Sequence, residues 1–159
     1  MIFRAAGIRE TVKDGLGMAL EIFFQGCNKR CPKCHNPELQ DFDGGSEMDT
    51  KDIIAKMYFS VYESLVLCGG EPLDQPYATL ELLETMEQFE VPTILYTGYE
   101  WEEIDDKTKE LATVIICGPY EAKRKRAGTF TASYNQKIYL KGEEIENTTD
   151  LFKRVRQAL

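Results

Sequence analysis

Apolar residues gather in short runs that alternate with stretches of helical spacing. Residues 18–24, Met-Ala-Leu-Glu-Ile-Phe-Phe, are apolar at every position but one and predict a buried strand. Ile53, Ile54, Met57, Tyr58 and Val61 recur at helical intervals, with Asp49 or Thr50 placed to cap the helix. Residues 64–68 form a second apolar strand closed by Gly69 and Gly70. An amphipathic helix is expected over 77–89, where Leu80, Leu82, Leu83 and Met86 fall. Residues 92–97 and 113–117 repeat the strand pattern around an acidic helix at about 100–111. Another strand is expected at 134–140 and a closing helix at 149–159.

Strands separated by helices imply right-handed crossovers and a parallel sheet. A closed barrel of eight such units takes about 250 residues, more than the 159 here. The expected fold is therefore α/β, an open partial (β/α) barrel of five to six mostly parallel strands. No linker, repeat or low-complexity tract divides the chain, so residues 1–159 are expected to form one domain.

Charge and cysteine usage narrow the function classes. Nineteen Lys and Arg stand against 27 Asp and Glu, a net charge of −8. Such a balance argues against a nucleic-acid binder, which needs a basic footprint. No apolar run reaches the roughly 18 residues of a membrane span. The first residues carry no signal-peptide pattern. Five cysteines without an export signal read as metal or redox ligands before disulfides. A cytoplasmic protein is expected.

Three of those cysteines lie together. Cys27, Cys31 and Cys34 are spaced CX3CX2C just after the first predicted strand. Four thiolates are the usual set for an iron–sulfur cube. Three would leave one iron without a protein ligand, open to a small molecule that then receives an electron directly. The second signal is Gly69-Gly-Glu-Pro72 at the end of the second strand. Ligands of βα folds gather at the carboxyl ends of strands. Glycines there let backbone come close, and Glu71 adds an acceptor for an ammonium group. Alone, the second string reads as an ordinary strand–helix turn.

Together, these segments resemble the radical S-adenosylmethionine (SAM) enzymes. The likeness extends to the activating component of anaerobic ribonucleotide reductase. It is carried by the cysteine loop through Pro37 and Glu38, and by residues 12–17 (Val-Lys-Asp-Gly-Leu-Gly) and 41–45 (Asp-Phe-Asp-Gly-Gly). Residues 96–99 (Tyr-Thr-Gly-Tyr), 117–120 (Cys-Gly-Pro-Tyr) and 133–138 (Ser-Tyr-Asn-Gln-Lys-Ile) complete it. The resemblance implies a partial barrel of radical SAM type and a [4Fe–4S] cluster on Cys27, Cys31 and Cys34. It implies that SAM binds the open iron, with Gly69, Gly70 and Glu71 near its amino group and Lys33 and His35 at its adenosine end. Reductive cleavage would then give methionine and a radical that takes hydrogen from a glycine of the partner. That partner would be the large subunit of the anaerobic reductase. Reduced flavodoxin or ferredoxin would supply the electron, and the resemblance leaves a homodimer open.

Several features stand outside that pattern. Lys33 occupies a place where many radical SAM enzymes carry an aromatic residue. Cys68 and Cys117 fall on predicted strands and read as buried, inert thiols. Other radical SAM activities remain as alternatives, namely pyruvate formate-lyase activation and 7-carboxy-7-deazaguanine synthesis. A further alternative is a Cys3His zinc site including His35, although His35 directly follows Cys34. The basic run Lys123 to Arg126 reads as a solvated face or a docking patch. Trp101 is expected to pack in the outer helix layer.

Overall fold

The computed structural model describes residues 1–127, 130–146, 148 and 151–158, with the backbone alone for Phe152. Its centre is one sheet of eight strands: β1 (Ile2–Thr11), β2 (Ala19–Phe24), β3 (Ser46–Asp49), β4 (Ser64–Gly69), β5 (Thr93–Tyr96), β6 (Val114–Cys117), β7 (Lys137–Leu140) and β8 (Glu143–Ile145). Four helices accompany it: α1 (Thr50–Tyr58), α2 (Pro76–Gln88), α3 (Asp106–Leu111) and α4 (Leu151–Ala158). Across the sheet the order is β3-β1-β2-β4-β5-β6-β7-β8.

The open α/β sheet with parallel strands is as expected. β2, β4, β5 and β6 run parallel, in register from Ala19 beside Ser64 to Phe24 beside Gly69. Both ends of this unit carry antiparallel additions, β1 and β3 on one side and β7 and β8 on the other. β1, β3 and β8 are not apparent in the apolar pattern because they belong to the antiparallel flanks and have mixed or high exposure. β1 also carries an irregularity between Ala5 and Gly7 that breaks its alternation.

Each parallel strand buries both faces, which is why these segments read as continuous apolar runs. Leu20, Ile22, Phe24, Leu65, Leu67 and Leu95 face α1 and α2 through Ile53, Met57, Leu82, Leu83 and Met86. Ala19, Val66, Ile94, Val114 and Ile116 face the other way, against Leu16 and against Leu151 and Val155 of α4. Each large apolar side chain so buried contributes about 1.5–3 kcal/mol. Asp49 caps α1 by accepting from the Lys51 N–H. The acidic stretch near 100–111 divides into a single turn at Trp101–Glu103 and the short α3, separated by Ile104 and Asp105 in extended conformation. Of the expected closing helix, Thr149, Asp150 and Leu159 lie outside the described residues. Among the described residues no helix is long and apolar enough to cross a membrane.

This arrangement aligns Phe24, Gly69, Tyr96 and Cys117 along one edge of the parallel unit. The cysteine loop, the Gly69–Pro72 string and the segments 96–99 and 117–120 all start from that edge.

Candidate metal centre

The cysteine loop leaves β2 through a closed neck. The Gly26 N–H donates to Leu39 O at 2.8 Å and the Cys27 N–H to Gln40 O at 3.2 Å. Gly70 N–H donates to Phe24 O, and Glu71 N–H to Gly26 O, both at 2.8 Å. The two strand ends are thereby stitched together. Space there is tight: a Cβ on Gly70 would stand 2.3 Å from the Gly26 carbonyl oxygen, and one on Gly69 2.4 Å from the Phe24 nitrogen. Gly69 also sits at φ +105°, a region that glycine adopts without strain. The glycine pair is therefore required by close approach of the chain to itself.

Side chains from distant segments brace the same neck. Gln25 donates through Nε2 to Asp41 O (2.6 Å) and Glu38 O (3.1 Å). Gln75 donates to Arg4 O and Gln25 O and accepts from the Arg4 N–H. The Arg4 guanidinium in turn donates to the carbonyls of Asp43, Gly44 and Gly45. The 41–45 segment is thus a turn clamped by Arg4.

Glu71 is 1 % exposed. Its carboxylate accepts from Leu73 N–H at 3.0 Å, Gly98 N–H at 2.7 Å and the Thr97 hydroxyl at 2.8 Å. Burial pushes this carboxyl up to about 7, while those three hydrogen bonds hold it down. Its oxygens are occupied within the protein, tying the end of β4 to the turn after β5. Asp74 does comparable work for the thiol arc: it accepts from the Asn28 N–H at 2.6 Å and from the Tyr99 hydroxyl at 2.7 Å. That hydrogen bond to Asp74 raises the Tyr99 phenol above its ordinary range. Lys29 lies over the Tyr99 ring at 3.9 Å and pairs with Glu103 at 3.0 Å. Asp74, Gln75, Gln25 and Arg4 were not singled out from the sequence. Their partners lie up to 71 positions away, and no local pattern announces them.

The thiols themselves stand on a more open arc. Cys27, Cys31 and Cys34 are each half-buried and unpaired. Burial raises the Cys27 thiol, with the Arg30 and Lys29 N–H groups acting in the opposite direction. A hydrogen bond from Cys34 N–H to Cys31 O closes a turn at 3.1 Å. Arg30 and Lys33 adopt left-handed backbone at φ 46° and 57°, an uncommon conformation for residues with a Cβ. Lys33 is exposed. His35 packs its ring against Tyr120, centroids 4.2 Å apart.

The donor chemistry fits an iron–sulfur cluster. Thiolates are the ligands of such clusters. Among the described residues, no three His, Cys, Asp or Glu side chains converge closely enough to share one metal ion. A four-iron cube places its ligands on separate irons, so its thiolates need not meet at a point.

The two remaining cysteines lie on opposite faces of the sheet. Cys117 is 1 % exposed in the helix-side core, and burial pushes its thiol up to about 12. Cys68 donates to Glu21 Oε1 at 3.1 Å on the other face, and burial raises it strongly. Both are strand residues with suppressed thiolate character. Trp101 stacks on Tyr139 at 3.7 Å and packs against the helix-side core.

Comparison with known proteins agrees with this chemistry. The family described as a 4Fe-4S single cluster domain matches residues 13–139. The pyruvate formate-lyase-activating enzyme of Clostridium pasteurianum is 30% identical over 110 residues, 65% of this chain and 46% of that one. The benzylsuccinate synthase activating enzyme of Thauera aromatica is 54% identical over 33 residues, 21% of this chain and 10% of that one. QueE from Escherichia coli, a solved structure, superposes with a TM-score of 0.52 at 18% identity. That superposition covers 62% of this chain and 53% of that one, a likeness of fold. The chain spans half or less of the length of these curated relatives. It belongs to the 4Fe-4S single cluster domain family, and its relatives include radical SAM activating enzymes of glycyl-radical proteins. A [4Fe–4S] cluster and SAM are the cofactors this kinship implies.

Proposed function

We propose that this chain is a glycyl-radical activating enzyme whose target is anaerobic ribonucleoside-triphosphate reductase. The observation that carries the reading is the set of three half-buried thiols at the carboxyl edge of a parallel sheet, on an arc hung from a rigid neck. Cys27, Cys31 and Cys34 would hold the cluster, leaving one iron for SAM. When bound, these groups supply one-electron cleavage of a carbon–sulfur bond and hydrogen abstraction from a glycine Cα. The protein's contribution is to place and shield them.

Each remaining candidate takes a role under this reading. Gly69 and Gly70 form the rim of the SAM site, and Glu71 braces that rim from behind through Thr97 and Gly98. Lys33 and His35, on either side of Cys34, would stand at the adenosine end, with Tyr120 backing the imidazole. Reduced flavodoxin or ferredoxin would be the electron source. The reductase as target is supported by the sequence segments at 41–45 and 133–138.

A second reading, activation of pyruvate formate-lyase, is favoured by the relative from Clostridium pasteurianum. The two are separated by incubating the reduced, reconstituted protein and SAM with each purified partner and recording electron paramagnetic resonance. A glycyl radical on the reductase, and none on the lyase, is the expected result. A radical on the lyase alone would overturn the assignment of target while keeping the chemistry.

A further inference from the structure

The basic run and the 133–138 segment meet in space. After β6 the chain turns at Gly118 and passes Tyr120; Lys125 then bridges to Ser133. Arg126 N–H donates to Ala132 O and Tyr134 N–H to Arg124 O, both at 2.9 Å. Gln136 fastens the base of this hairpin: its Oε1 accepts from Ala132 and Ser133, and its Nε2 donates to Gly118 O. A cavity of about 410 Å³ opens beside the hairpin, within the size range of specific ligand sites.

The hairpin sorts its cations by chemistry. Arg124 closes a single helical turn at Ala122–Arg124, and Lys125 pairs with Ser133 directly after it. Of the basic run, Arg124 and Arg126 line the cavity and Lys123 and Lys125 do not; Lys137 of β7 also lines it, paired with Glu144 at 3.5 Å. Guanidinium forks match a carboxylate geometrically, which lysines do not. Arg124 reaches its neighbour Glu121 only at 3.5 Å, and Arg126 lies over the Tyr134 ring at 5.1 Å. Glu144 and Glu146 form part of the lining as well. Their charges oppose a multiply charged phosphate; Glu144 already accepts from Lys137 and Tyr139, and Glu146 offers an acceptor to peptide N–H groups. A single carboxylate on a polypeptide satisfies both sets.

We propose that this cavity is a docking site for an acidic peptide segment of a partner protein, its carboxylate held between Arg124 and Arg126. The segment that leads from β6 to this site packs Tyr120 on His35 of the cysteine loop. The inference rests on the reading that the chain acts on another protein.

The test measures binding rather than turnover. A fluorescein-labelled, C-terminally amidated peptide, Gly-Gly-Ser-Glu-Gly-Gly, is titrated with the full chain in fluorescence polarisation, without SAM or reductant, at about 0.15 M salt to screen loose attraction. Its counterpart with Gln in place of Glu is the control. R124A/R126A is expected to weaken binding at least about tenfold, and K123A/K125A less than about threefold. R124K/R126K keeps the charge without the forks and is expected to stay weak; circular dichroism confirms that each variant is folded. Absence of binding, equal losses from both pairs, or tighter binding of inorganic tripolyphosphate than of the peptide would overturn the proposal. Because no SAM cleavage is read, failure of the activase reading would leave a positive result here standing.

Discussion

The neck of the cysteine loop and the arc that carries the thiols are adjacent in sequence but held in different ways. The neck joins Gln25, Gly26, Leu39, Gly70, Glu71 and Gln75 by backbone and side-chain hydrogen bonds, and Glu71 is almost fully buried within it. The arc from Cys27 to Cys34 is tethered by Asn28 to Asp74, turns on itself at Cys31 and Cys34, and leaves its thiols half exposed. Folding energy is concentrated in the frame, and the ligands are left for the metal to gather. Metal binding to such an arc adds to its ordering.

Substitutions in the two regions should accordingly differ in kind. The largest effect is expected from Gly70→Ala, whose Cβ would strike the Gly26 carbonyl oxygen at 2.3 Å. Backbone on both sides must move, and a loss of ~3 kcal/mol or more is expected in denaturant unfolding, with iron uptake lost as well. Next is Glu71→Gln, which turns one acceptor oxygen into an amide facing donors; a loss of about 1–3 kcal/mol is expected.

Glu71 also gives the neck a pH signature. Its folded carboxyl is raised from 4.5 to about 7 by burial, so the native state holds the proton more tightly than the unfolded chain. The stabilisation is fully present below pH 4.5 and is lost as pH rises through about 7. The full swing is on the order of 3 kcal/mol. Unfolding of the apoprotein followed from pH 4.5 to 8 should show this decline, and Glu71→Gln should flatten it. Asp74→Asn, which keeps the size but weakens the grip on Asn28 and Tyr99, should cost about 1 kcal/mol. It should also slow cluster assembly, read as visible absorbance against time. The smallest effect on stability belongs to Cys31→Ala in the arc, about 0.5 kcal/mol or less without metal, yet it should abolish the cluster. An arc variant that unfolds the apoprotein, or a neck variant without effect, would break the contrast.

What could be read from the sequence follows the same division. The buried strands β2, β4, β5 and β6 and the helices α1 and α2 declare themselves because both faces of each strand, and one face of each helix, must be apolar. The arc declares itself through cysteine spacing alone. The neck does not, since its braces are single polar residues such as Arg4 and Gln75 that become meaningful only when the fold brings them together. Glu71 shows the limit well: its place beside the glycine pair was readable, but its inward aim at Thr97 and Gly98 was not. The flanking strands β1, β3 and β8 escaped for a related reason, because half-exposed strands share their alternation with turns and bulges.

The most direct test is anaerobic reconstitution with iron and sulfide, reduction, addition of SAM and assay for 5′-deoxyadenosine, with Cys31→Ala in parallel. The account predicts a brown protein with about four irons and product that disappears in the variant. Tightly held zinc in place of iron, or product that survives loss of Cys31, would contradict it.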